Sequence, residues 1–81
     1  MNQTQVAKPT VTYDRLQGFY KDRGQEIAII EGVHGHPRLP DGATVRTSLV
    51  AQKIWNPNVE GDLIGFETLN TLYMEAINHD A

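Results

Sequence analysis

Apolar and polar positions alternate in three stretches of the chain, and turn-forming clusters separate them. From Glu26 the sequence reads Ile27-Ala28-Ile29-Ile30-Glu31-Gly32-Val33, a β-branched run bounded by glycines and too short for a typical helix, which predicts a strand. Alternation places Ile27, Ile29 and Val33 on one face. Thr44-Val45-Arg46-Thr47-Ser48-Leu49-Val50-Ala51 is again rich in β-branched residues and continues to Ile54 and Trp55, predicting a second strand. The third stretch, Leu63 to Met74, fits two periods. A helix aligns Phe66, Leu69, Tyr73 and Ile77, whereas a strand puts Ile64, Phe66, Leu72 and Met74 on one face and Leu69 and Tyr73 on the other. Thr68, Asn70 and Thr71 favour strands and turns over helix interiors. The stretch also follows a Gly-Asp turn, as an antiparallel partner of the preceding strand would. A strand is therefore predicted over 63–74, with the end frayed or briefly helical.

The intervening residues supply the turns. Val11-Thr12-Tyr13 has high β propensity, but Asp14 to Tyr20 also permits a helical turn with Leu16 under Phe19 and Tyr20, so a short helix or turn is predicted there. Asp22-Arg23-Gly24 reads as a turn, because glycine takes positive φ without steric cost. Pro37 and Pro40 remove two backbone donors and interrupt regular pairing, and Asp41-Gly42 makes a tight return. Asn56-Pro57-Asn58 with Glu60-Gly61-Asp62 forms the next loop. Residues 1–10 read as a polar tail, 11–77 as one small β-rich domain and 78–81 as a second tail. The fold class is mainly β, a β-rich α+β arrangement: a small antiparallel sheet of three to four strands with a short N-terminal helix or turn. Its apolar face requires a cover, either the Tyr13 to Tyr20 segment or a second copy in a homodimer.

Composition narrows the function classes. At 81 residues and 9.1 kDa the chain forms one small domain with little room for an enclosed active site. It has no cysteine, which excludes disulfides, thiolate metal sites and a cysteine nucleophile. No apolar run approaches the ~20 residues of a membrane span and the first residues lack a signal-peptide pattern, so a cytoplasmic protein with no membrane contact is expected. Seven Lys and Arg against ten Asp and Glu give a net charge of −3, which disfavours delocalised binding to nucleic acid. The mixed run of Asp14, Arg15, Lys21, Asp22 and Arg23 reads as a solvated face.

Few groups carry chemistry. His34-Gly35-His36 has the spacing that places two imidazoles on one strand face, with Asp41 or Glu31 as a third ligand, but it lacks a full ligand set and no metal or other cofactor is assigned. Arg38, Arg46, Thr47, Ser48, Asn70 and Thr71 form a set that a phosphate or carboxylate would need if the sheet gathers them. The competing account pairs Arg38 with Asp41 or Glu31 and spends the hydroxyls on turn backbone. Ser48, His36 and Asp41 contain the residue types of a hydrolytic triad without a nucleophile-elbow sequence, so no enzymatic activity is expected. Trp55, the only tryptophan, caps the core or stands exposed as an anchor, and capping is the expected role. The candidate binding residues are thus His36, Arg38, Arg46, Thr47, Ser48, Trp55 and Asn70.

Gly35-His36-Pro37-Arg38-Leu39-Pro40-Asp41-Gly42, then Val45, Thr47-Ser48 and Val50, then Glu67-Thr68-Leu69-Asn70-Thr71-Leu72-Tyr73, together resemble a pattern in short uncharacterised proteins of phages and prophages. The resemblance covers about half of the chain, from residue 33 to 74. It implies a phage-type origin and three matching β segments, and carries over no catalytic residue. The chain departs from that pattern by inserting Asn56 to Glu60 and by adding the tail from Glu75 to Ala81. Small acidic phage proteins commonly act by binding, so the resemblance implies a protein that modulates or inhibits a host factor, plausibly a bacterial defence component. The alternative is a small-ligand protein that sequesters a nucleotide signal through Arg38, Arg46 and neighbouring hydroxyls. A nucleic-acid accessory role is a third reading, disfavoured by charge.

Overall fold

The computed structural model describes residues 8–76, and among these every regular element is a strand. The strands are β1 (Thr10–Tyr13), β2 (Arg15–Asp22), β3 (Gln25–Glu31), β4 (Val45–Arg46), β5 (Val50–Trp55), β6 (Leu63–Thr68) and β7 (Leu72–Glu75). They form a four-stranded sheet in the order β1-β7-β6-β5 and a three-stranded sheet in the order β2-β3-β4. The mainly β reading therefore holds at the level of fold class, while the helix expected between Tyr13 and Tyr20 is absent. Leu16, Phe19 and Tyr20 lie instead on β2, paired antiparallel with β3. Residues three apart fall on opposite faces of a regular strand, but a shift of register between Leu16 and Gly18 lets Leu16 and Phe19 both pack against the core.

Two longer runs change sheets part-way, a device that lets small sheets pack across one another. β1 and β2 are separated only by Asp14. On the β1 side Thr12 bridges to His34 and pairs with Met74 of β7, the β1–β7 pairing being parallel; on the β2 side Arg15 pairs with Glu31. β4 and β5 are the two ends of the predicted second strand. Val45 and Arg46 pair with Ile30 and Ile29, whereas Val50 to Trp55 pairs with β6. The expected strand over 63–74 is likewise two strands, folded at Leu69-Asn70 into an antiparallel hairpin. Thr68 N donates to the Thr71 carbonyl at 2.9 Å and Thr71 N to Thr68 Oγ1 at 3.2 Å.

The two sheets cover each other's apolar faces, and the Tyr13 to Tyr20 segment takes part in that cover through Tyr13, Leu16 and Phe19. Val11, Tyr13, Ala28, Ile30, Val33, Val45, Phe66 and Tyr73 form the core, with Leu16, Phe19, Ala43 and Val50 packed against it. On β3 the central cluster therefore takes Ala28 and Ile30 rather than Ile27 and Ile29, although Ile27 is buried as well. Val33 joins them because Gly32, at φ 70°, breaks the alternation between Glu31 and Val33. Phe66 is the hub: its ring lies 4.9 Å from Tyr73 and stacked on it, 5.6 Å from Phe19 edge-on, and 5.9 Å from Tyr13. Phe66 and Tyr73 are cross-strand partners, so they share a face.

The turns obey local backbone rules. Arg23 and Gly24 both have positive φ, 57° and 82°, the type I′ geometry that matches hairpin twist. Asn56 N donates to the Asp62 carbonyl at 2.8 Å, and Asn58 N to Asn56 Oδ1 at 2.9 Å, closing the loop between β5 and β6. Of the residues 1–10 read as a tail, Thr10 opens β1, and Lys8 and Pro9 are tied to the sheet. Lys8 Nζ reaches Glu67 at 3.0 Å and the Thr68 carbonyl at 3.1 Å, and Leu72 N donates to the Pro9 carbonyl. Residues 1–7, the 78–81 tail and Ile77 lie outside the described residues. No helix among the described residues is long and apolar enough to cross a membrane.

Candidate functional site: a cleft beneath the proline-rich connector

The connector between β3 and β4 is held by its own side chains. His36 Nδ1 accepts hydrogen bonds from Arg38 N at 3.0 Å and Leu39 N at 3.1 Å, a two-pronged cap on the turn through Pro37. Asp41 Oδ1 accepts from Gly35 N at 3.1 Å, and Gly42 N donates to the Val33 carbonyl at 2.7 Å. With Pro37 and Pro40 restricting φ, these bonds fix the path of a segment that carries Arg38 at the surface.

Beneath this connector lies a half-open cleft of about 400 Å³, within the size range of small-molecule sites. The connector supplies His36, Pro37, Arg38 and Leu39; the β4 region supplies Val45, Arg46, Thr47 and Ser48; the β6–β7 turn supplies Asn70 and Thr71; Tyr73 and Pro9 complete it. Six of the seven candidate residues thus meet around one space. Tyr73 and Pro9 escaped the sequence reading. Tyr73 was assigned to the face opposite Phe66, and Pro9 enters through the parallel pairing of β1 with β7, which no local pattern signals.

The roles of the six differ. Thr47 is buried, and its Oγ1 accepts from Ala28 N and donates to the Ser48 carbonyl at 2.8 Å, so its hydroxyl is spent on backbone, as the competing account had it. Arg46 pairs with Asp22 at 2.6 Å, with both side chains partly in solvent. Arg38 pairs with neither Asp41 nor Glu31. Glu31 is engaged by Arg15 and Gln17, Asp41 by Gly35 and His34, and Arg38 makes no ion pair among the described residues. No family model, curated protein or solved structure matches this chain.

The lining contains two arginines and no carboxylate, in a chain whose net charge is −3. Burial pushes the Tyr73 phenol above its ordinary value, with a smaller opposing effect from its hydrogen bond to Thr71, so Tyr73 stays neutral at physiological pH. The donors around the cleft are thus guanidinium, hydroxyl and amide groups, the set that recognises oxyanions.

Other candidate arrangements come apart. Gly35 has φ 80°, which ends the extended geometry needed to set His34 and His36 on one strand face. His34 lies instead between two carboxylates, Nε2 3.4 Å from Asp14 and Nδ1 3.8 Å from Asp41, and no cluster of three metal-ligating side chains occurs among the described residues. Ser48, His36 and Asp41 are not wired as a triad, since His36 Nδ1 faces backbone amides and Asp41 caps Gly35. Trp55 does not cap the core. It is 52 % exposed on β5, the terminal strand of its sheet, beside a shallow depression formed with Glu26 and Lys53, and does not line the connector cleft.

Proposed function

We propose that this is a non-catalytic binding protein whose connector cleft takes the anionic end of a small ligand, of the kind a nucleotide presents. The observation that carries this reading is the charge of the cleft wall, two arginines without a carboxylate in an acidic protein. Arg38 has the leading role because its guanidinium has no competing ion pair among the described residues. Arg46 is secondary, since a ligand would have to share it with Asp22. Sequestration fits a chain of this size, which needs only to hold its ligand.

The test is calorimetric titration with nucleotides and with the corresponding uncharged nucleosides. Nucleotides should bind, nucleosides should not, and Arg38→Ala should weaken binding about 10-fold or more, the worth of a charge-assisted hydrogen bond. Equal binding of nucleoside and nucleotide rejects the reading.

The second reading, a phage-type protein that modulates a host factor such as a bacterial defence component in the host cytoplasm, draws on Trp55. An exposed tryptophan on a terminal strand has the character of a hot-spot anchor, and Leu49 and Val59 are exposed as well. A host polypeptide captured by the wild type and equally by Trp55→Ala counts against that surface.

A further inference from the structure

We infer that His36 is the specificity-determining donor of the cleft: its Nδ1 is held by the connector backbone, which leaves Nε2–H to select, with Arg38, a phosphate-type oxyanion. This rests on the anion-binding reading above and adds the residue and the ring nitrogen that donates. His36 Nδ1 accepts from Arg38 N and Leu39 N at 3.0 and 3.1 Å. A ring nitrogen that accepts carries no proton, so the single proton of the neutral ring is on Nε2. The backbone of the connector, not a carboxylate partner, sets the tautomer. No hydrogen bond among the described residues uses Nε2, which leaves it as the one ring nitrogen able to donate to an occupant of the cleft that His36 lines.

Arg38 is coupled to this ring directly. Its amide is one of the two donors to Nδ1, and the residue lines the same cleft. Nε2–H and the guanidinium fork together make a donor-only pair, matched by the acceptor-only oxygens of a phosphate ester. The other charged or titratable groups facing the cleft are Arg46 from β4 and the neutral Tyr73 phenol from β7; Pro9, Asn70 and Thr71 bring no charge. His34, Asp14 and Asp41 form a separate set.

The experiment titrates the full chain with adenosine 3′,5′-cyclic monophosphate and, separately, inorganic phosphate at about pH 8, where both are anionic. His36→Asn, whose Oδ1 replaces Nδ1 as the acceptor for the turn, should keep the wild-type melting temperature and bind the cyclic nucleotide about 10-fold more weakly. A His36→Asn protein that binds like the wild type overturns the assignment of His36 while leaving the anion cleft in place. Failure of both probes to bind the wild type overturns the cleft reading and the His36 assignment together.

Discussion

Thr47 and Ala28 bind each other twice across the β3–β4 boundary: Thr47 N donates to the Ala28 carbonyl at 2.9 Å, and Ala28 N donates to Thr47 Oγ1 at 3.1 Å. The pair continues the β3–β4 ladder by one step after Arg46, with a side-chain oxygen in place of a backbone carbonyl. Both residues are buried, so the Ala28 amide has no water to turn to if the hydroxyl is removed. Thr47→Val, nearly isosteric, should therefore destabilise the protein by about 1–3 kcal/mol, the cost of an unsatisfied buried donor. Thr47→Ser should recover most of that loss. Chemical denaturation of the two variants measures the difference, and equal midpoints for Thr47→Val and the wild type would show that the bond contributes nothing.

Phe66 supports three aromatic neighbours from three strands, Tyr13 on β1, Phe19 on β2 and Tyr73 on β7. Truncating it removes the contact that unites both sheets and leaves a cavity that neighbouring strands cannot close. Phe66→Ala should cost about 3–5 kcal/mol, a large part of the stability of so small a domain. Phe66→Leu should cost less, because most of the volume is retained. Urea denaturation followed by tryptophan fluorescence is a suitable measurement, and a loss below 1 kcal/mol for the alanine variant would contradict the central role given to this ring.

Local rules made the turns legible, and long-range pairing made the rest illegible. Arg23-Gly24, Asp41-Gly42 and the prolines constrain their own backbone, so their roles could be read without knowing the fold. The faces of the last stretch could not. In one continuous strand Phe66 and Tyr73 lie on opposite faces, but a turn at Leu69-Asn70 makes them cross-strand partners. Leu69, 78 % exposed, is apolar and gave no sign of a turn. The changes of sheet at Asp14 and after Thr47 are tertiary events with no periodic signature. Most of the cleft was legible because the connector and β4 are near in sequence, but the separation of Thr47 as structural from Arg38 as free required the partners of each group. Trp55 was misassigned because a lone aromatic after a β run fits an inner or an outer position equally well.

Gly65 has no room for a side chain. A Cβ built there would lie 2.5 Å from the Tyr73 carbonyl oxygen and 2.6 Å from Met74 Sδ, and the backbone atom of that pair cannot move without disturbing β7. Gly65→Ala should destabilise the protein by about 1–3 kcal/mol through overpacking. Because Tyr73 also lines the cleft, amide exchange should quicken on β7 and the adjoining Asn70-Thr71 turn before it does on β2 and β3. Uniform acceleration across both sheets would contradict a local clash.

The Arg46–Asp22 pair spans β4 and the end of β2 at 2.6 Å with both side chains substantially in solvent. Ion pairs of that exposure are worth little, so Arg46→Ala should change stability by less than about 1 kcal/mol, and added salt should reduce even that difference. Asp22→Asn supplies the complementary case: it frees the Arg46 guanidinium for a cleft ligand and should raise affinity for an anion at low ionic strength. Affinity unchanged by Asp22→Asn, measured by titration, would remove Arg46 from the binding set.

Tyr13 sets the alkaline limit of the fold. Burial against Phe66, reinforced by the negative charge of Glu75, pushes its phenol up to about 12 from an ordinary value of 10.0. A phenol that ionises later in the folded chain than in the unfolded chain contributes stability that is complete below pH 10 and is lost as pH rises from 10 towards 12. The sign follows from proton counting: in that window the unfolded chain has released a proton that the native chain still holds, so base favours unfolding. The loss amounts to on the order of 2 kcal/mol. Tyr73, raised in the same direction by burial, adds to the same limb. Tyr13→Phe keeps the ring in the aromatic cluster and removes the ionisable group, so its stability should decline less steeply above pH 10. Denaturation midpoints of the wild type and the variant across the alkaline range, with phenolate absorbance followed in parallel, test this directly: parallel curves would show that Tyr13 ionises alike in the folded and unfolded chains.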